Sequence, residues 1–168
     1  FKKSVKVMAG RLFEEKVTTV DAPAFDAFSE NVDLEGRNLH RFGYDFTKFL
    51  MRDGLRFIVV DAPVAEDVQT AADERAAGIR PYFVEVDIRN VLGIKFVEVG
   101  GQRIISQFRY KEIVSVEVDE FTDASAEQIR VIEPNQIRLY RKNERGDWFL
   151  YDTIITSASF VPVVPVYA

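Results

Sequence analysis

The chain contains no cysteine, one histidine, one tryptophan and two methionines among its 168 residues. Without cysteine it forms no disulfide, has no thiolate nucleophile and offers no thiolate to a metal. The lone histidine, His40, leaves any zinc site to carboxylates, and no His-Glu-x-x-His spacing occurs. Phosphate loops are missing as well: there is no GxxxxGK[ST] and no GxGxxG, and no GxSxG marks a nucleophile elbow. No apolar run approaches the roughly 20 residues of a membrane helix. The charged, helix-like start FKKSVKVMAGRLFEE does not read as a signal peptide. Basic residues are in the minority, 22 against 27 acidic, for a net charge of -5. A domain that wraps nucleic acid through its own surface shows the opposite balance.

What is present is globular in character. Hydrophobic residues make up 47% and charged ones 29%, enough for one domain with a sizeable core. The clearest stretch runs from Asp33 to Pro63. Leu39, Phe42, Phe46, Phe49 and Leu50 recur at helical spacing. Asn38 stands where an N-cap belongs, and Gly54 where a left-handed residue ends a helix. Phe57, Ile58, Val59 and Val60 follow as a strand covered on both faces, closed by Asp61-Ala-Pro63.

Before this unit, Lys2 to Phe13 carry a helical pattern, KVTTV (16–20) predicts a short strand, and Ala24–Ser29 a helical turn. After it, Val64–Gly78 is a polar insert, with a capping box at Thr70 and Asp73 and a short helix over Ala71–Ala77. From Arg80 the period becomes two. Tyr82–Ile88 reads as a strand, and Ile94–Val99 and Arg103–Tyr110 form a hairpin on Gly100-Gly101. Ile113–Val118 is the next strand and Phe121–Glu127 a polar loop. Gln128–Ile132, Gln136–Arg141 and Trp148–Thr153 complete a meander of about six short strands, with NERGD (143–147) as a turn. The expected fold is α+β: a helix–strand unit packed with a mostly antiparallel sheet, a curled sheet or small open barrel. It divides into a core unit over 1–63, the insert over 64–79 and strands over 80–168, within a single domain.

Candidate chemistry is sparse. His40 reads as a surface residue off the apolar stripe. Glu14-Glu15, Asp73-Glu74 and Asp119-Glu120 are sequence neighbours, which point to opposite faces of a strand and make no acid/base pair by themselves. Asp119, Glu120 and Asp123 lack the spacing of a cation loop. Arg138, Arg141, Lys142 and Arg145 gather near one hairpin tip, as a phosphate or acidic-partner contact or as a charged strand end. Pro162-Val-Val-Pro165 fits a PxxP spacing or an extended segment packed on the sheet. A hydrolase reading would need Asp33, Asp45, Asp53 or Asp61 to converge on a cation. The residues thus assign no catalytic, cofactor-binding or metal site and no cofactor.

Several stretches together resemble the tailed-phage portal proteins of the domain-of-unknown-function 4055 family. MAGRLFEEKVTTVDAP is similar to that family's opening segment. NVDLEGRNLHRFGYDFTKFLMRDGLRFIVVDAP resembles its Asp-hydrophobic-x-Gly-x-x-Leu helix and the strand closed by Val-Asp-x-Pro. GIRPYFVEVDIRNVLGIKF resembles its Arg-Pro-Tyr strand and Ile-x-Asn turn, and VPVVPVYA its Ile-Pro-x-x-Pro exit. The family's Asn-Trp is replaced here by Asn90-Val91. The resemblance implies a wing-region fragment of a longer subunit, a structural protein and not an enzyme. Such subunits assemble with copies of themselves into a ring, usually of twelve, at a capsid vertex. The ring docks terminase, capsid, head-completion and tail proteins, and passes double-stranded DNA that this region would not grip. Localisation would be the virion, and the host bacterial cytoplasm during assembly of a phage or prophage. The alternative is a non-viral α+β peptide- or protein-binding module.

Overall fold

The computed structural model describes residues 2–63 and 79–168. These divide into two compact units, one of residues up to Ile88 with Val164–Ala168, the other Arg89–Val163. The fold is α+β, and the described residues form three α-helices and two sheets in place of the one sheet expected. The insert Val64–Gly78, with its cap and short helix, lies outside the described residues. Among them no helix is long and apolar enough to cross a membrane.

The first unit begins with α1 (Lys2–Leu12) and α2 (Pro23–Ser29). KVTTV forms no strand. Its β-branched residues favour extended backbone, but a strand needs a ladder partner, and the Val17 amide instead donates to His40 Nδ1 at 3.3 Å. His40 is therefore half-buried, its ring edge-on to Phe13, not a bare surface histidine. Helix α3 (Leu39–Asp53) is capped as its sequence predicts. Asn38 accepts from the Arg41 amide at 2.9 Å, and Gly54, at φ 81°, donates to the Leu50 carbonyl. Phe42, Phe46 and Leu50 bury the stripe with Val32, and Phe28, Leu39, Ile58 and Phe83 pack around them.

Behind the helix lies a three-stranded sheet in the order β2 (Tyr82–Asp87), β1 (Leu55–Asp61), β8 (Val163–Tyr167). Central β1 sinks Phe57 and Val59 to 1% exposure each. Strand β2 pairs antiparallel with β1, from Arg56↔Asp87 to Asp61↔Tyr82, and so does not join the meander that follows it in sequence. The PxxP stretch is not a free ligand segment. It runs into β8, and Pro165 sits on an edge strand, where its missing N–H is tolerated.

The second unit is a five-stranded meander: β3 (Val91–Val99), β4 (Gln102–Asp119), β5 (Thr122–Glu133), β6 (Gln136–Lys142) and β7 (Trp148–Ile155). Gly100 and Gly101 turn β3 into β4 with φ of 58° and 78°, the two positive values that a two-residue hairpin of this type demands. Two expectations fail here. Arg103–Tyr110 and Ile113–Val118 are one strand of 18 residues, and the supposed loop Phe121–Glu127 is, after the turn residue Phe121, the first half of β5. The polar residues that read as breaks are cross-strand partners. Lys111 pairs with Glu127 at 3.1 Å, and Glu112 accepts from Gln128 and Arg130 at 2.7 and 3.1 Å. β3 leaves β4 at Tyr110 and β6 leaves β5 at Gln128. Beyond the pair Glu112↔Gln128, β4 and β5 continue alone, as a two-stranded ribbon over Ile113–Glu127 that is roughly 20 Å long at the usual rise per residue.

Candidate functional site

One cavity of about 410 Å³ is lined by side chains from all five strands of the second sheet. Leu92 and Lys95 come from β3 and Trp148 from β7, the two edge strands of that sheet. Residues from opposite edges meet across one cavity only when a sheet is curled, so the sheet forms a trough. Ligand sites favour such concave mouths.

The base of the trough is built around Gly93. A methyl group there would lie 2.4 Å from Nη2 of Arg109, its register partner on β4. The guanidinium lies across bare backbone, which is the reason for a glycine inside a strand. Arg109 Nε is buried with no hydrogen-bond partner. Gln107, 7% exposed, has a second such atom, Oε1. Its Nε2 donates to Glu133 Oε1 at 2.6 Å. Glu133 also accepts from Gln136 at 3.0 Å and pairs with Arg138 at 2.8 Å. Burial pushes the Glu133 carboxyl up. The Gln107 hydrogen bond and the charge and hydrogen bond of Arg138 outweigh this and hold it below its ordinary value. Glu133 is thus committed to Arg138. Among the described residues Arg109 and Lys95 have no carboxylate partner.

A second surface is the ribbon. Glu117, Asp119, Glu120 and Asp123 form no ion pair among the described residues, and they surround Phe121, which is 90% exposed at the turn. The edge strand β7 carries Phe149, Leu150, Tyr151 and Ile155, all exposed. A third surface is a groove of about 660 Å³ between α1 and α3, where Lys2, Lys6, Arg41, Lys48 and Arg52 gather over Tyr44 and Phe49.

The residues singled out from sequence are dispersed. Asp45 is held between Arg41 and Lys48 at 2.7 Å each. Asp61 accepts from Tyr82 Oη at 3.1 Å. Asp53 joins Arg52 and Arg56, at 2.6 and 2.7 Å. Asp33 binds Arg37 and the amides of Glu35 and Arg37, latching the loop that leads into α3. Cations and hydroxyls take each carboxylate separately, and among the described residues no three of His, Asp or Glu are placed to hold a metal. The hairpin-tip cations do not converge either. Arg138 goes to Glu133, Arg141 to Gln128 and the Tyr151 ring, and Lys142 to Glu127. The trough was not read from sequence. Its one signal was Gly93 interrupting an apolar run.

No family model matches the sequence, and no curated protein matches it.

Proposed function

We propose that this chain is a wing-region portion of a tailed-phage portal subunit, a structural protein whose work is assembly and docking. The observation that carries the reading is the acidic ribbon with its exposed Phe121. A two-stranded ribbon has little stability of its own, and an aromatic at its tip has no folded-state role among the described residues. Both features suit insertion into a neighbouring subunit or a capsid protein. Five acidic residues (Glu117, Asp119, Glu120, Asp123, Glu127) and no basic one give the ribbon a charge of -5, which repels a DNA backbone. The residues that carry the resemblance also hold structural positions: Asp33 latches the loop, Leu39 enters the core and Gly54 ends the helix. In this reading the subunit forms a ring with copies of itself, docks terminase and head-completion proteins, and performs no catalysis.

Negative-stain electron microscopy of the complete gene product tests it. Rings with a central channel are expected. A uniformly monomeric protein at high concentration overturns the reading and favours a peptide-binding module. The feature that supports this second reading is β7, an edge strand with apolar side chains exposed on both faces, open to strand addition.

A further inference from the structure

We propose that the trough captures the C-terminal residue of a peptide, with Arg109 on its carboxylate and Gln107 on the amide N–H beside it. Buried polar atoms are nearly always partnered, and two of the four orphans among the described residues belong to side chains that line this one cavity, a small rotation away from its wall. One is a donor, Arg109 Nε, and the other an acceptor, Gln107 Oε1. A peptide C-terminus supplies the complement: an anionic acceptor and, on the same residue, an N–H donor. The guanidinium fork matches a carboxylate in shape as well as charge. Lys95 adds a second positive charge at the wall.

The remaining lining decides between anions. Leu92, Ile129 and Trp148 give the cavity an apolar side that would receive the terminal side chain. A phosphate gains nothing from such a wall. The local positive charge stands out in a chain of net charge -5, and Glu133 does not cancel it, being held by Arg138. Gly93 makes the arrangement possible, because any side chain there displaces the guanidinium. This inference does not rest on the assembly reading, and holds for either function proposed above.

The test is isothermal titration calorimetry on the 168-residue chain. The titrants are acetyl-Gly-Gly-Phe as the free acid, its C-terminal amide, N-acetylphenylalanine and inorganic phosphate. The free acid is expected to bind in the micromolar to millimolar range, and the amide at least about tenfold more weakly. Arg109→Gln is expected to lose about tenfold, and Gly93→Ala a similar factor although it changes no charge. No heat with the free acid means a trough holding water only and overturns the proposal. So does equal binding of acid and amide, or displacement of the acid by equimolar phosphate. N-acetylphenylalanine binding as tightly as the tripeptide overturns the peptide assignment in favour of a free acyl amino acid. If either variant fails to fold by circular dichroism, the acid–amide comparison on the unaltered chain still decides.

Discussion

The two units treat charge in opposite ways. In the first, Arg56 is buried and reaches Asp53, Glu85 and Asp87 at 2.7, 2.6 and 3.1 Å, while Arg37 binds Asp33. In the second, the ribbon leaves four carboxylates without a cation and the trough leaves two cations without a carboxylate. Both units have a core, Phe57 and Val59 in the first and Phe108 and Ile132 in the second, and the second adds the apolar residues of the ribbon, Ile113 and Phe121, 75% and 90% exposed. A buried network in which each charge faces an opposite charge fixes one structure. Unsatisfied charge and exposed aromatics on regular strands leave valence for something else. The first unit therefore reads as scaffold and the second as contact surface.

The largest expected effects fall on the scaffold. Phe57→Ala should lower unfolding free energy by about 3–5 kcal/mol, read from urea denaturation. Arg56→Ala should cost a similar amount, about 3–5 kcal/mol, because it removes the cation shared by three mostly buried carboxylates and leaves them only Arg52 and Arg37. If it costs under about 1 kcal/mol, the first unit is no more committed to its charges than a surface is.

Acid sharpens the comparison. Burial pushes the Asp33 carboxyl up, but hydrogen bonds from Arg37 and from the amides of Glu35 and Arg37 prevail and hold it below 3.8. The Arg52 hydrogen bond, against burial, likewise holds Asp53 low. A depressed carboxyl contributes stability that is present above the unfolded value, about 4, and lost as pH falls through the lower folded value. A melting curve should therefore drop below about pH 4. Asp33→Asn should lower stability near neutral pH and make the acid drop shallower.

Smaller effects follow. Gly54→Ala, at φ 81°, should cost roughly 1–2 kcal/mol by forcing a side chain into the left-handed region. Phe121→Ser should change stability by less than about 0.5 kcal/mol while reducing ring formation, measured by calorimetry and microscopy together. A large loss of stability would make the ribbon part of the scaffold and erase the division between the units.

Local signals were legible and distant ones were not. The capped helix, Gly54 and the Gly100-Gly101 hairpin are written within a few residues, since each depends on a backbone angle or one side chain. The length of β4 and β5 is not. Lys111, Glu112 and Thr122–Glu127 look like strand breaks until register places Glu112 opposite Gln128 and brings Lys111 within reach of Glu127. The trough was harder still. Its residues span Leu92 to Trp148, none unusual alone, and only the curl of the sheet brings them together. KVTTV shows the converse, a strong strand preference without a neighbouring ladder.

The ribbon has one more consequence. Each of its strands has an outward edge that no other strand covers among the described residues, so it offers two bare ladders. Bare ladders invite like to pair with like, and here that pairing would bring two clusters of four carboxylates together. The repulsion acts as a self-exclusion rule, closing the edges to another ribbon and keeping them open to a cationic strand. Such a rule depends on range. It holds over about 10 Å at about 0.1 M salt and shrinks to about 3 Å in molar salt, where the same ribbon becomes an adhesive.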